Sequence, residues 1–356
     1  MDMNPQIRII RMLAEILSQP PKSVEVLPGD IVDWTCARDV TETSTLDPHS
    51  EIPFFYRDGN VGIPQKVLYR LYMAAITLFA TSQTTEDIYQ ASCILLLANP
   101  AHRSALNARK HLVQGSLLPP KQELAFTETL LRASNDCAKQ GILWDHRRWL
   151  LKLLHPLVLP PIVKPFCDSR RWCSAQGLQE FPYIPLDDIN REFHIIRDAC
   201  AMYPRNYYAW SHWHFIVDVI YVVLSIHRDH DQYLDALAGE FFTLYRWVDQ
   251  HVSDHTAIHH LCNLGQVFFD LNECYSSPLI NLFSGVSSPI LFLAEQAMAL
   301  ATSYPGHESL WMYLRRVIAA LGPRERKGVI DFLELSPVFH DPMAKRLFAW
   351  IELQGF

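Results

Sequence analysis

The sequence predicts an all-α protein: a right-handed α-α superhelix of stacked antiparallel helical hairpins. Three observations indicate this fold class. Most segments place apolar residues at i, i+3, i+4 and i+7, one motif recurs five times, and only 13 of the 356 residues are glycine. Such scarce glycine disfavours β-rich architectures and Gly-rich phosphate loops alike. Length alone leaves two ordinary domains or one elongated repeat array open.

Composition and charge narrow the class of function. Hydrophobic residues make up 49% and charged residues 19% of the chain, which is typical of a folded globular protein. The formal net charge of -7 argues against broad binding to a nucleic-acid backbone, so no nucleic-acid partner is expected. The eight cysteines form no CxxC pair and the start of the chain does not read as a signal peptide. We therefore expect reduced thiols and a cytoplasmic protein.

The longest apolar run, residues 215–226, contains Asp218 and is too short to span a bilayer, so we predict a buried helix and no membrane span. The N-terminus reads as an amphipathic helix. Short strands are predicted near residues 23–34 and 51–64. Helical period is clearest in five further segments, at 64–82, 85–98, 121–138, 189–203 and 288–304.

A repeated motif of turn and helix organises the rest of the chain. Its five copies begin at Asn99, Cys137, Tyr203, His251 and Tyr304. Their eighth positions are all large and apolar: Leu106, Trp144, Trp210, Ile258 and Trp311. Large residues at one helical position are expected to fill the gap between successive hairpins, and this favours packing over ligand stacking for the tryptophans.

Each motif carries signals for ending one helix and starting the next. Proline occupies the second position in three motifs, where a preceding helix must stop. Asn206 and Asp254 share the fourth position, where a side-chain oxygen can cap the following helix. Gln140 and His307 occupy the same position and are less suited to capping a helix. Each motif is therefore predicted to be a turn followed by the second helix of a hairpin.

One long interval interrupts the array. Trp144 and Trp210 are 66 residues apart, whereas a helical pair needs roughly 35 to 45. The Pro-rich segment 155–188 explains the excess, since it cannot be continuous helix. We predict an N-terminal helical region at 1–88, five repeats at 89–330 with this insertion, and a C-terminal capping helix at 331–356.

The residues that recur at fixed positions of the five motifs resemble those of a known family. Turns such as "NYYAWSHW" and "LWDHRRW" are similar to the repeats of protein prenyltransferase α subunits, whose usual core is Asn-Tyr-x-x-Trp-x-His-Arg. The other motifs look most like the family's divergent branch of repeat-containing proteins. The resemblance covers about residues 91–319. Its motif residues, to which we assign structural roles, are Leu106, Arg109, Trp144, His146, Arg147, Trp210, His212, His260 and Trp311.

The resemblance implies an α subunit that wraps around a β subunit. The β subunit then carries the catalytic zinc and the isoprenoid pocket, so no cofactor is expected in this chain. The α subunit lends polar groups to the isoprenoid diphosphate from its second and third repeats. At the matching positions of this sequence, the second-repeat Lys of the family corresponds to Lys139, and the third-repeat Asn-Tyr corresponds to Asn206 and Tyr207. Arg205 directly precedes Asn206. Such side chains can stabilise the charge of a departing diphosphate.

The sequence also departs from the family pattern. Gly141 stands where the second repeat usually has a Tyr donor, and Tyr208 where the third usually has His. The Arg that follows the motif His is present as Arg147 but is replaced in the later repeats, by Trp213, Leu261 and Leu314. We interpret Arg147 and Arg148 as structural ion-pair residues rather than substrate contacts.

The histidines allow a metal site in principle. His255 and His259 stand at i and i+4 on one helix face, and His260 follows. No general-base Glu or paired Cys accompanies them, so helix-start and motif histidines are the simpler interpretation, and no metal site is assigned. The run at 227–231 is expected to be a solvated helix end.

These observations lead to one principal hypothesis. The chain is expected to be the α subunit of a heterodimeric protein prenyltransferase, inactive without its β subunit. That enzyme would transfer a geranylgeranyl or farnesyl group from its diphosphate to a protein cysteine. The divergent branch suggests the β subunit of Rab geranylgeranyltransferase as partner. A non-catalytic helical-repeat adaptor is the alternative, and a metal hydrolase built on His255, His259 and His260 is a third.

Overall fold

Helices form most of the protein. The structure, a computed structural model, describes residues 5–19, 21–32, 53–158, 173–174, 177–178, 180–226, 231–274, 288–336 and 341–356. Long helices dominate this part of the chain, and the predicted all-α class of helical hairpins is confirmed. None of the helices described combines the length and the hydropathy that a bilayer span needs.

The chain divides into two compact units. The first comprises Met1–Pro156 and His194–His212, and the second comprises Leu157–Phe193 and Trp213–Phe356. The chain therefore crosses between the units three times, once after Pro156 and once within each of the two helices that surround the third motif.

The first unit begins with helix α1, Pro5–Ser18, and a small sheet. Strands β1 (Ser23–Leu27), β2 (Phe55–Arg57) and β3 (Asn60–Pro64) form this sheet in the order β1-β3-β2. The β1–β3 pair is parallel and the β2–β3 pair antiparallel. Both strand regions predicted from the sequence are confirmed.

Hairpins follow the sheet. In chain order the helices are α2 (Gln65–Thr81), α3 (Thr85–Ala98), α4 (Arg103–Gln114), α5 (Pro120–Ala133), α6 (Asn135–Ala138) and α7 (Gly141–Leu154). Helix α3 packs against α4, and α5 packs against α7. The first two motifs lie at the turns of these hairpins, as predicted.

Helices α8 (Leu186–Met202) and α9 (Tyr207–Ile226) surround the third motif. In the segment before them, predicted as an insertion at 155–188, the residues that the structure describes form short strands until α8 begins. These strands are β4 (Leu157–Val158), β5 (Cys173–Ser174), β6 (Gly177–Leu178) and β7 (Phe181–Pro182). They pair antiparallel, β4 with β7 and β5 with β6.

The second unit continues with helix pairs. Its helices are α10 (Asp231–Gln250), α11 (His255–Cys274), α12 (Pro289–Ser303), α13 (Glu308–Ala320), α14 (Pro323–Leu335) and α15 (Pro342–Gln354). Helix α10 precedes the fourth motif, where the apolar periodicity of the sequence did not identify a helix. Asp231 opens α10, and the other residues of the run 227–231 lie outside the described residues.

The predicted helix caps are present. Asn206 Oδ1 accepts the Ala209 N–H at 3.1 Å, and Asp254 Oδ1 accepts the Ala257 N–H at 3.1 Å. Gln140 and His307 precede α7 and α13 without making a side-chain cap bond. In the first motif His102 Nδ1 accepts the Ala105 N–H at 3.1 Å, a cap that the sequence did not reveal.

Candidate functional site

The eighth position of every motif is buried. Leu106, with 8% of its surface exposed, is the most accessible of the five residues, and Trp144 is fully buried. Two of the tryptophans also make the same hydrogen bond. Trp144 Nε1 donates to the Ala138 carbonyl at 2.9 Å, and Trp311 Nε1 donates to the Pro305 carbonyl at 2.7 Å, in each case six residues earlier. This geometry agrees with a packing role, since each ring holds its helix against the turn before it.

A buried carboxylate connects the first two motifs. Arg109 donates to Glu123 through Nε at 3.0 Å and Nη2 at 2.6 Å, and His146 Nε2 lies 2.9 Å from Glu123 Oε1. Arg109 also donates to Ser92 Oγ at 3.1 Å and lies 4.0 Å from the centre of the Phe126 ring. Helices α4, α5 and α7 are thereby fixed to one another by a closed polar network.

Burial and charge act in opposite directions on Glu123. Burial alone would raise the pKa of the carboxyl, but the Arg109 charge and the hydrogen bonds from His146 and Arg109 lower the pKa to about 2. Glu123 is therefore ionised at neutral pH, and the three side chains form a structural site rather than an acid–base pair.

The two arginines of the "WDHRRW" segment have different partners. Arg147 Nη1 donates to the Leu124 carbonyl at 2.9 Å and to Thr127 Oγ1 at 2.8 Å, both on α5. Arg148 forms an ion pair with Asp145 on its own helix. Arg147 is fully buried, so it is not available to a substrate in this arrangement.

The second unit has similar buried hydrogen bonds between helices, made by other residues. Trp213 Nε1 donates to Glu240 Oε1 at 2.9 Å, and Tyr313 donates its hydroxyl to Gln296 Oε1 at 3.0 Å. Arg109 and Trp213 share the eleventh motif position, whereas His146 and Tyr313 share the tenth. In both units a buried acid or amide on one helix accepts a hydrogen bond from a motif side chain on another.

Two further histidines of the motif lie in the core. His212 is fully buried, and its ring centre is 5.1 Å from that of Trp144. His260 is buried in the second unit, with its ring centre 5.4 Å from that of Trp213. Both histidines therefore contribute to packing around a tryptophan.

The turn of the third motif is tied to the turn of the second. Asn206 is fully buried and donates through Nδ2 to the Ala138 carbonyl at 2.8 Å. The same carbonyl accepts the Trp144 indole N–H. Because its Oδ1 caps α9 as well, the Asn206 side chain has both ends engaged within the chain and acts as a positioning residue.

Of the other predicted diphosphate-facing residues, Arg205 and Tyr207 are exposed at this junction and Lys139 is half-buried. Lys139 Nζ lies 2.7 Å from Asp136 Oδ1 and 5.9 Å from the centre of the Tyr203 ring. The hydrogen bond to Asp136 raises the pKa of Lys139, which is therefore cationic at neutral pH. Tyr207 is 66% exposed. Lys139 and Arg205 thus lie on turns that Asn206 holds together, and Tyr207 is the first residue of α9. These three are the residues here that could hold an anionic group.

Arg205 differs from Lys139 in two respects. Its backbone is in the left-handed region, with φ of 59°, which a residue with a Cβ rarely adopts. Among the residues that the structure describes, it has neither a hydrogen bond nor an ion pair. Its charge is consequently uncompensated and available to an external anion.

Gly141 and Tyr208, two departures from the family pattern, fit one another. A Cβ placed on Gly141 would lie only 2.5 Å from Tyr208 Cε1. The Tyr208 ring therefore occupies the space directly over Gly141, where a side chain at 141 would otherwise project. The ring of Tyr207 is packed edge-to-face at 5.5 Å from that of Tyr208, which leaves an aromatic surface beside the two cations.

The histidines at 255, 259 and 260 do not form a metal centre in this structure. In the part of the chain that it describes, no group of three or more His, Cys, Asp or Glu side chains is arranged to hold a metal ion. His259 instead lies 3.1 Å from Asn263 Nδ2, within hydrogen-bonding distance.

The helices are paired, the equivalent motif positions are buried, and the turns present polar side chains. These features define a helical-hairpin repeat protein. Residues 189–219, which contain the third motif, match the model of the protein prenyltransferase alpha subunit repeat. The resemblance to the prenyltransferase α subunit repeat family, predicted from the five motifs, is thereby confirmed.

Several curated relatives carry the same description. The chain is 30% identical over 254 residues to protein prenyltransferase alpha subunit repeat-containing protein 1 of Danio rerio, which covers 65% of this chain and 54% of the relative. It is 27% identical over 263 residues to the Homo sapiens protein of that name, with 65% and 58% covered. The Xenopus laevis protein 1-B is 26% identical over 256 residues, with 65% and 54% covered. The chain thus spans about half the length of the curated relatives it matches.

Replacing Glu123 by Gln should destabilise the first unit strongly. The variant keeps an acceptor for His146 but leaves the Arg109 guanidinium buried without a counter-charge, a loss of about 3 to 5 kcal/mol. Urea denaturation followed by far-UV circular dichroism measures this. Arg109→Met combined with Glu123→Gln should recover more than half of the loss. Additive losses in the double variant would contradict the role assigned to this pair.

Stability should also fall in acid. The pKa of Glu123 is depressed from 4.5 to about 2 in the folded protein, so its contribution is complete above pH 4.5 and is lost as the pH falls towards 2. Urea midpoints between pH 6 and pH 2.5 measure this change. The Glu123→Gln variant is the control and should show a shallower decline over the same range. Equal slopes would show that other carboxyl groups dominate.

Gly141→Ala should destabilise the first unit by about 1 to 3 kcal/mol, because the new methyl group would overlap the Tyr208 ring. In a Tyr208→Ala background the same change should be neutral or stabilising, as alanine is favoured over glycine in helices. Gly239→Ala is a matched control, since a Cβ there meets nothing within 4 Å. An equal loss in both backgrounds would contradict the proposed fit of the ring over Gly141.

Proposed function

We propose that this chain acts as the α subunit of a heterodimeric protein prenyltransferase. The observation that carries this is the group of Lys139, Arg205 and Tyr207: two cations on turns joined by the Asn206–Ala138 hydrogen bond, and a hydroxyl at the start of α9. The family resemblance supports it, because the second and third repeats are where the resemblance places the diphosphate-facing groups.

The chemistry proposed for this surface is charge stabilisation. In prenyl transfer the thiolate of the protein cysteine, which has already lost its proton, forms a carbon–sulfur bond. The carbon–oxygen bond of the isoprenoid diphosphate breaks, and the diphosphate leaves with the bonding electrons. Its growing negative charge would be stabilised by the Lys139 ammonium, the Arg205 guanidinium and a hydrogen bond from the Tyr207 hydroxyl. A diphosphate would also compete with Asp136 for Lys139, since that ion pair lies at the surface.

The remaining groups are proposed to come from a partner subunit. A β subunit would supply the zinc, the isoprenoid pocket and most of the contacts with the protein substrate. We propose the β subunit of Rab geranylgeranyltransferase as the first candidate, and geranylgeranyl or farnesyl as the group transferred. In this arrangement the chain alone is inactive.

Co-expression with prenyltransferase β subunits tests the proposal. The expected result is a stable complex that transfers an isoprenoid to a protein cysteine. In the active complex, Lys139→Ala with Arg205→Ala should lower kcat at least tenfold, because two charge-assisted contacts to the leaving group are lost. Arg205→Gly is a useful companion, since it removes the charge while relieving the left-handed backbone. No complex with any β subunit would sink the proposal.

A non-catalytic scaffold is the second candidate, and specific observations favour it. Both ends of the Asn206 side chain make structural hydrogen bonds, and position 141 is a glycine, so neither residue offers a side-chain donor to a diphosphate. A complex that forms normally, with unchanged turnover in the Lys139→Ala, Arg205→Ala variant, would assign the chain a purely structural role.

A further inference from the structure

A groove of about 710 Å³ lies between helices α11 and α13 of the second unit. The fourth and fifth motifs supply its walls. Its lining includes His255, Ile258, His259, Cys262, Met312 and Arg316. The volume is within the range of ligand-binding clefts and far exceeds that of a bound ion.

One end of the groove carries positive charge. Arg316 donates through Nη2 to Asn263 Oδ1 at 3.3 Å, and among the residues described it forms no ion pair. Glu308, an acid that also lines the groove, stands eight residues earlier on α13, about 12 Å away along the helix. The guanidinium therefore faces the groove with its charge uncompensated, and an anionic group is its natural complement.

The middle of the groove is apolar. Met312 is 52% exposed, although it is a large hydrophobic side chain, and it faces the groove together with Ile258. Cys262 lies further along the wall, where burial raises the pKa of its thiol to about 12. The thiol stays neutral, so this part of the wall offers van der Waals contact rather than charge.

The spacing of these features matches an extended peptide. Met312 and Arg316 are one helical turn apart, about 6 Å along α13. In an extended chain, side chains i and i+2 point the same way and are about 6.6 to 7 Å apart. From His255 to Cys262 the groove wall rises about 10 Å, the length of roughly three extended residues.

We propose that this groove binds an extended acidic segment of a partner protein. An apolar side chain of that segment lies against Ile258 and Met312, and a carboxylate two residues later bonds Arg316. Polar side chains along the wall, such as the exposed His255 imidazole, serve the peptide backbone. An aliphatic lipid anion would offer the His255 imidazole no hydrogen bond, so a peptide is the better complement.

The corresponding groove of the first unit lacks these features. It lies between α4 and α7, measures about 350 Å³ and is lined at equivalent motif positions by Arg103, Asn107 and Lys110. Lys110 Nζ is already placed 4.7 Å from the centre of the Trp149 ring. The combination of an exposed Met with an uncompensated Arg belongs to the fourth and fifth motifs.

Methyl NMR of the full chain tests the proposal with a local probe. Methionine is labelled with ¹³C at its methyl group, and the Met312 signal is assigned with Met312→Leu. The ligands are blocked pentapeptides, Ala-Leu-Ser-Glu-Ala and its Gln counterpart. The Glu peptide should shift the Met312 signal saturably and bind about tenfold more tightly than the Gln peptide, because one charge-assisted hydrogen bond distinguishes them.

Two variants decide the outcome. Arg316→Gln should reduce the affinity for the Glu peptide to that of the Gln peptide, while Arg324→Gln, an exposed arginine on α14 that does not line the groove, should leave it unchanged. The other methionine signals report whether each variant remains folded. Equal binding of both peptides, an unchanged affinity in Arg316→Gln, or a Met312 shift with oleate but with neither peptide would overturn the proposal.

Discussion

The buried contact of Glu123 with Arg109 and His146 is the constraint on which the first unit depends. A carboxylate removed from water is tolerated only when its charge and its hydrogen-bonding capacity are satisfied at the same time. Here a two-point bond from Arg109 and a third bond from His146 meet that requirement, from helices α4 and α7 respectively. A rotation or a one-turn slip of either helix would leave the charge exposed to an apolar core. Apolar packing alone would tolerate such a slip far better, since it is not directional.

Once α7 is fixed, the turn before it is fixed too. The Trp144 indole holds the Ala138 carbonyl, and that carbonyl then accepts the Asn206 amide from the next motif. The positions of Lys139, Gly141, Arg205 and Tyr208 follow from these two bonds. Rigidity matters for the proposed site, because charges that stabilise a leaving group act best when they need no reorganisation. The left-handed backbone of Arg205 is held in the same way, since the capped helix after it determines the direction of the chain.

Local signals made much of this fold predictable. The caps at Asn206 and Asp254, the hairpin turns and the buried eighth positions all depend on residues a few positions apart, and the sequence showed them. The buried acceptors Glu123, Glu240 and Gln296 were not predicted from the sequence, because they do not share one motif position. They stand 21, 18 and 15 residues before the eighth position of the following motif, which is Trp144, Ile258 and Trp311 respectively. For the two glutamates, the signal available in the sequence was an acidic residue within an apolar helical face. The fit of Tyr208 over Gly141 involves residues 67 positions apart, so only the folded chain could show it.

The motif positions divide into those that hold the array and those that can vary. The eighth and eleventh positions are buried in all five motifs, and the tenth is buried in all but the first. These positions form the contacts between helices, so a change there has to be matched by a partner, as when Trp213 with Glu240 takes the place of Arg109 with Glu123. The exposed positions of the turn and the outer helix face have no such requirement. Arg205 can carry a free charge and Met312 can stay exposed because neither is needed to satisfy the core. New binding chemistry can therefore arise at these positions, repeat by repeat, while the seams between the helices keep their geometry.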